Sequence, residues 1–351
     1  MSLTNFLEIA VKKNASDIFI ITGLPISCKC DNKLENLGEQ IVLPDISEKL
    51  IKETYTLANR DITHLLTTGD DDFSFSVAGL SRFRVSTYKQ RGSLAAVIRI
   101  ISFGIPNYYD LNIPEQVMDI SNFTKGLVLV TGTAGSGKST TLSCVIDRIN
   151  ETRSGHIITL EEPIEFLHKN KKSIISQREI SLDTASYVTA IRSCLRQAPD
   201  VILVGEMRDY ETIQTAMTAA ETGHLVISTL HTVGAANTID RIIDVFPPLQ
   251  QQQIRIQLSM LLKAVVSQQL IPKVEGGIYP VFEVMTVNNA IRTIIREGKT
   301  HQLDNVIASS SIEGMVSMDS SLFTLFKQGI IDKENAIRYA TNQDSMIKKL
   351  I

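Results

Sequence analysis

Residues 132–139 read Gly-Thr-Ala-Gly-Ser-Gly-Lys-Ser, and every fixed position of the pattern G-x-x-x-x-G-K-[ST] is filled. The segment before it, Gly126-Leu-Val-Leu-Val-Thr131, is a short apolar run suited to a buried strand. The segment after it places Leu142, Val145, Ile146 and Ile149 at helical spacing. Strand, glycine loop and helix in that order are the context in which the pattern becomes a phosphate site. Gly132, Gly135 and Gly137 let the backbone turn tightly around phosphate oxygens, and the free N–H groups of the helix start point at the anion. Thr133, Ala134, Ser136 and Thr140 complete the expected lining. Lys138 reaches the β- and γ-phosphates, and Ser139 is placed to ligate Mg²⁺. The competing reading is a Gly/Ser turn before an ordinary helix, which leaves the Lys-Ser pair and the preceding strand unexplained.

At 351 residues the chain is long for one domain, and two is the natural expectation. Hydrophobic residues are 43% and charged residues 21%, an ordinary globular balance. A net charge of −3 and a pI near 6.1 speak against a nucleic acid as the direct partner. The longest apolar stretch, 249–272, holds Arg255, Lys263 and seven glutamines, so it reads as an amphipathic helix or helix pair and not a membrane span. The first 13 residues lack the basic start and apolar core of a signal peptide, which leads to the expectation of a cytoplasmic protein. Cys28, Cys30, Cys144 and Cys194 form no C-x-x-C pair and read as reduced packing thiols.

Residues 3–13 look helical, with Leu3, Phe6, Leu7 and Ala10 on one side. Residues 17–22 read as a strand ending at Gly23, and 46–68 as helices. Residues 73–77 and 81–88 alternate with period two around Gly79, a hairpin pattern, and 94–101 is a third strand. A small mixed α/β domain over 1–103 follows. Residues 104–121 open with Gly and two Pro and no period, and are taken as the linker. Beyond it, apolar runs at 127–131, 157–161, 201–205 and 225–229 alternate with helical segments, the pattern of a mostly parallel sheet with helices on both faces over 122–284. Residues 285–351 show no strand and read as helical.

A phosphate loop needs carboxylates to organise metal and water. Residues 199–206 form a buried strand ending in Gly205-Glu206, so Glu206 carries the charge where an Asp is usual; the alternative is a Glu at the start of the next helix. Thr159-Leu-Glu-Glu-Pro-Ile-Glu165 puts Glu161, Glu162 and Glu165 past the end of another strand, where open α/β sheets bind ligands. Pro163 sets the turn that aims Glu165 inward. His224 and His231 bracket the 225–229 strand and cannot both meet one ligand. His231, at its carboxyl end, is the candidate γ-phosphate sensor.

Taken together, Gly132–Ser139, Ile158–Phe166, Val201–Glu206 with Met-Arg-Asp, and Thr222–Thr232 resemble the Walker A loop, "Asp box", Walker B and "His box" of the secretion ATPase superfamily, in that order. Ser193–Asp200, Ala219–His224 and Thr238–Pro247 are similar to its PilT-type branch, the type IV pilus retraction (twitching motility) ATPases. Ala290–Glu297, Ala-Ile-Arg-Thr-Ile-Ile-Arg-Glu, resembles that branch's A-I-R-N-L-I-R-E signature except at Thr293 and Ile294. The resemblance implies an α/β fold: a RecA-like P-loop ATPase core, a PAS-like N-terminal domain and a helical C-terminal region. It implies an ATPase using ATP and Mg²⁺, assembled as a homohexamer, with Ser139 and Glu206 on the metal and Glu165, Glu206 and His231 at the reaction centre. It further implies arginines of the N-terminal domain reaching the phosphates, here Arg84 and Arg99 with Arg82 as competitor, and Arg241 from the core. The expected partner is an inner-membrane pilus platform protein, with the chain held at the cytoplasmic face of that membrane through protein contacts. Pilus assembly, type II secretion and DNA-uptake ATPases are the alternatives within the fold, and a non-hydrolysing nucleotide-binding regulator is the alternative outside it. Departures from the family pattern are Glu162 for the usual Asp, Ser16-Asp17 without the usual His, and Cys30-Asp31-Asn32 for Val-Asp-Gly.

Overall fold

The computed structural model describes residues 2–30, 33–101, 104–310 and 314–350. The chain forms two compact units, Met1–Gly104 and Ile105–Ile351. Residues 102 and 103, at the expected domain boundary, lie outside the described residues, as do Asp31 and Asn32.

The first unit contains α1 (Leu3–Lys12), β1 (Asp17–Ile20), β2 (Pro25–Cys30), β3 (Lys33–Ile41), α2 (Pro44–Leu57), α3 (Thr63–Thr68), β4 (Asp70–Val77), β5 (Ser81–Gln90) and β6 (Ser93–Ile101). The six strands form one antiparallel sheet in the order β3-β2-β1-β6-β5-β4. The expected β4–β5 hairpin is present, with Ser74 opposite Arg84 and Gly79 in the turn. Ile18, Ile20, Phe83, Val85 and Ile98 line the inner face and bury against Leu3 and Leu7 of α1 and Leu50 and Ile51 of α2. Two strands escaped the sequence pattern. β3 is an edge strand, exposed at most positions, so it has no apolar alternation to show.

Asp71 lies on the inner face and is 5% exposed. Arg60 grips it with two hydrogen bonds, Nε to Oδ2 at 2.9 Å and Nη2 to Oδ1 at 2.7 Å, and the Tyr55 hydroxyl donates to Oδ2 at 3.0 Å. Burial works to raise the Asp71 carboxyl, but Arg60 and Tyr55 outweigh it and leave it below the usual aspartate range.

The second unit contains α4 (Glu115–Met118), β7 (Gly126–Thr131), α5 (Lys138–Thr152), β8 (His156–Glu161), β9 (Ile174–Glu179), α6 (Tyr187–Cys194), β10 (Val201–Val204), α7 (Tyr210–Glu221), β11 (Leu225–Leu230), α8 (Ala235–Asp244), α9 (Pro248–Leu261), β12 (Leu262–Pro272) and β13 (Ile278–Thr286). It ends in α10 (Asn289–Glu297), α11 (Leu303–Ser309), α12 (Met318–Lys327), α13 (Lys333–Arg338) and α14 (Gln343–Lys349). Its seven strands run β13-β12-β7-β11-β10-β8-β9, all parallel except the β12–β13 pair. Alternate residues of the central strands feed two cores. Leu127, Leu129, Ile202 and Val226 meet α6–α11, while Val128, Val130, Leu203 and Ile227 meet α4 and α5. Helices therefore cover both faces, as a buried parallel sheet requires.

The 249–272 stretch corrects the sequence reading. Only its first half is helix, and β12 begins at the residue after α9 ends. No Gly or Pro marks the change, and Leu262 simply turns to an extended backbone with ψ 130°. The β-branched pair Val265-Val266 then divides between the two cores, which only a strand can do. β13 completes the hairpin. It carries Pro280, tolerated because β13 is an edge. Among the described residues after Thr286 the chain is helical apart from a single bridge, Val316 to Val284. No described helix is long and apolar enough to cross a membrane.

Replacing Asp71 with Asn should weaken the first unit by about 2 kcal/mol, the scale of a charged hydrogen bond. Because the native carboxyl titrates below its unfolded value, its contribution is complete above pH ~4 and disappears as pH falls through the lowered native value. Urea unfolding of the full chain should therefore show wild type and Asp71→Asn separated at pH 7 and converging as the pH falls through the lowered native value.

Candidate active site

The register of the central strands brings their carboxyl ends to one edge. Thr131 of β7 pairs with Leu230 of β11, Ser228 of β11 with Val204 of β10, and Val204 with Leu160 of β8. Residues that follow these ends, among them Glu161, Glu162, Glu165, Gly205, Glu206, Arg208 and His231, wall a cleft of about 400 Å³. Of the phosphate loop, Ala134, Gly135, Gly137, Lys138, Ser139 and Thr140 line it, while Gly132, Thr133 and Ser136 are not part of its wall.

Gly132 is constrained by contact. Its φ is +146°, and a Cβ there would lie 2.2 Å from the Gln268 carbonyl oxygen and 2.6 Å from Ser136 Oγ. The loop thus rests on β12, whose Gln268 side chain also accepts from Thr141 Oγ1 at 2.8 Å. Sequence reasoning missed Gln268 because it placed this stretch in a helix.

Lys138 begins α5 and is 8% exposed. Its Nζ donates to the Gly132 and Thr133 carbonyls, each at 2.8 Å. Burial pulls this ammonium below its usual range, and Glu206 and Glu165 partly restore it. Both carboxylates thus act on the lysine. Ser139 is exposed beside it, and Ser136 Oγ is buried with no partner among the described residues.

Gly205 explains why the carboxylate sits one residue later than usual. A Cβ at 205 would approach the Tyr187 hydroxyl at 2.8 Å and the Leu160 carbonyl at 3.1 Å. A side chain at that point has nowhere to go, so Glu206 presents the charge. Arg208 Nε lies 2.7 Å from Glu206 Oε1, and His231 Nε2 lies 3.2 Å from Oε2. Glu206, with 14% of its side chain exposed, is therefore held from both sides. Burial first, then Glu162, Glu206 and Glu161, push the Tyr187 phenol above its usual range, so Tyr187 stands protonated in the wall. Arg208 was within a quoted motif but unassigned; Tyr187 gave no sequence signal.

The three carboxylates of the 161–165 turn divide by role. Glu161 is anchored: Thr159 Oγ1 donates to it at 2.6 Å and Gln177 Nε2 at 3.2 Å, and burial raises its carboxyl. Glu162 and Glu165 are exposed to the cleft. The peptide between Glu162 and Pro163 is cis.

His224 lies at the opposite end of β11, its Nδ1 3.1 Å from the Ala219 carbonyl and 3.0 Å from Thr222 Oγ1. It belongs to the α7–β11 connection and not to the cleft. Arg241 is exposed in the last turn of α8 and is not part of the cleft wall. Arg84 and Arg99 belong to the first unit, directly opposite one another on the outer face of β5 and β6. Arg99 Nε donates to Asp17 Oδ1 at 3.0 Å, and Arg82 Nη2 donates to Ser74 Oγ at 2.8 Å.

A hydroxyl, two exposed carboxylates and a lysine at a helix start form a hard-oxygen and cationic set suited to a magnesium–nucleotide complex. Among the described residues no group of three or more His, Cys, Asp or Glu side chains could hold a metal alone. Gly132→Ala should cost about 2 kcal/mol or more through the clash with Gln268. Thermal melting is the check, and a melt equal to wild type would contradict the contact.

The sequence profile described as type II/IV secretion system protein matches residues 1–277. The type IV pilus retraction ATPase PilT of Pseudomonas aeruginosa is 43% identical over 341 residues, covering 96% of this chain and 97% of that protein. A twitching motility protein of Neisseria gonorrhoeae is 49% identical over 276 residues, covering 78% and 74%. A crystal structure of the pilus retraction motor PilT with bound ADP superposes with a TM-score of 0.89 at 42% identity, covering 99% of each chain. With its phosphate loop, Gly-Glu strand end and histidine at one sheet edge, the chain belongs to the type II/IV secretion system protein family and, within it, to the PilT-type pilus retraction ATPases.

Proposed function

We propose that this chain is a motor that hydrolyses ATP to power type IV pilus retraction. The observation that carries the reading is the convergence of Lys138, Glu206, Glu165 and His231 on one cleft, in a chain similar over almost its whole length to a retraction ATPase. Nucleotide phosphates take the place of the loop carbonyls at Lys138 Nζ, whose low exposure strengthens its hold on the transferring phosphoryl group. Glu165 accepts the proton of the attacking water. Glu206, fixed between Arg208 and His231, turns toward the γ-phosphate side together with the histidine. Ser139 and Glu206 would hold Mg²⁺, which neutralises phosphate charge when bound.

Arg84 and Arg99 of the first unit are the proposed outside contacts to the phosphates in a homohexamer. Arg241, exposed on α8, is proposed to act across such an interface. The proposed location is the cytoplasmic face of the inner membrane, on a pilus platform protein.

The α10 helix, Asn289–Glu297, contains the whole of the retraction signature, Ala290–Glu297. Ile291, Ile294 and Ile295 bury in the core shared with Ile239, Ile242 and Ile243 of α8. Arg292 is half-buried, whereas Arg296 is exposed. We propose that α10 couples hydrolysis to work.

Three measurements test these roles. Lys138→Ala should fold and show no ATP turnover, and phosphate release near wild type would defeat the site assignment. Glu206→Gln and Glu165→Gln should bind ATP and lose on the order of a hundredfold in kcat; a silent Glu165→Gln beside a dead Glu162→Gln moves the base to Glu162. Arg296→Ala should keep hydrolysis and lose retraction in a complementation assay, and equal loss of both returns α10 to packing alone.

A further inference from the structure

Glu283 is 3% exposed and sits in β13, opposite Ser267 of β12. Its two oxygens receive the backbone N–H groups that open two different helices. Ala235 N, the first residue of α8, donates to Oε1 at 2.9 Å, and Met318 N, the first of α12, donates to Oε2 at 3.4 Å. Ser267 Oγ takes the neighbouring Gly234 N–H at 2.9 Å. Gly234 and Ala235 end the short turn that starts at His231. The turn is closed by Thr238 Oγ1, which donates to the Gly234 carbonyl at 2.7 Å and lies 2.7 Å from Thr232 Oγ1.

We propose that Glu283 is a positioning residue for hydrolysis, fixing the turn that carries His231 against Glu206 and tying that turn to the start of α12. The proposal rests on the reading of the cleft given above. Burial pushes the Glu283 carboxyl above its usual range, and the N–H groups of the two helix starts offset this in part. The same carboxylate is thus the shared acceptor of a cleft-side helix and a helix of the C-terminal cluster built on Met318, Leu322 and Leu325. A shift of α12 changes what is left for α8, and a shift of the His231 turn changes what is left for α12. Between them stands Ser267-Gln268, whose side chains point to opposite faces of β12: Ser267 holds the His231 turn, and Gln268 holds the phosphate loop.

Glu283→Gln keeps the shape, but an amide oxygen can face only one of the two N–H groups. We expect kcat for ATP to fall about tenfold with KM within about twofold, and the NMR signals of the His231 ring to move. In a His231→Ala background the same substitution should cost nothing further, because its effect passes through the histidine. An unchanged kcat with unmoved ring signals overturns the proposal, and so does an equal loss in both backgrounds, which marks general loosening. If Glu283→Gln does not fold, Ser267→Ala, which removes only the acceptor for Gly234, is put through the same cycle under the same criteria. Should the wild type release no phosphate, the hydrolysis reading falls, and the His231 ring signals alone decide whether Glu283 sets the turn.

Discussion

Four strands, β7, β11, β10 and β8, lie side by side, parallel and in register, and the cleft is a consequence of that pairing. Parallel strands in adjacent register end at the same level, so loops distant in sequence emerge together. The phosphate loop, the 161–165 turn, Gly205-Glu206 and His231 are far apart along the chain and share one edge of the sheet. Both faces of these strands are buried, which fixes the register firmly, since a slip of one residue would exchange the two cores. The price is a chain of polar groups near the strand ends that must be satisfied. Ser228 Oγ donates to the Val204 carbonyl at 2.7 Å and Thr229 Oγ1 to the Gly205 carbonyl at 2.6 Å, stitching β11 to the end of β10 beneath the catalytic edge.

The electrostatics of the cleft follow from its depth. Lys138 is buried deeply enough that its ammonium is disfavoured, and although Glu206 and Glu165 act on it, it donates to carbonyls of its own loop. Such a lysine gains more from an incoming phosphate than an exposed one, because little water competes. Glu206 is the opposite case. It is already paired on both oxygens, by Arg208 at one and His231 at the other. Any movement of Glu206 in the cleft must therefore break or carry along both contacts, so Arg208, Glu206 and His231 form one coupled group at the sheet edge.

Much of this was legible in the sequence, for physical reasons. Buried parallel strands are apolar throughout, so 127–131, 157–161, 201–205 and 225–229 stood out, and the motifs at their ends needed only local spacing. The phosphate loop carries its own conformation in three glycines and a lysine. What stayed hidden lacked a local signal. β3 is exposed on an edge, β9 is polar on the other edge, and β12 follows α9 with no breaking residue, so its period was lost inside a glutamine-rich stretch. Gln268, Ser267 and Glu283 were invisible with it. Tyr187 matters through its approach to Gly205, a contact that depends on tertiary packing alone.

The hidden elements are also the ones that join the site to the rest of its unit. β12 pairs with β7 on one side and with β13 on the other, so it is the strand through which the nucleotide edge meets the C-terminal helices. Its backbone carbonyl at Gln268 presses on Gly132, its Gln268 amide holds α5 through Thr141, and its Ser267 holds the turn after His231. Beyond it, Ile271 of β12 and Val281 of β13 pack in the C-terminal cluster with Met318 and Leu325. A packed, two-sided strand of this kind cannot bend at one residue without disturbing its neighbours. The phosphate loop and the His231 turn are therefore tied to α12 through the same strand pair, while α10 is tied to α8 through a separate shared core. Two routes from one sheet edge, one through β12–β13 and one through α8, are what a chain needs if chemistry at the cleft is to move its C-terminal helices as a body.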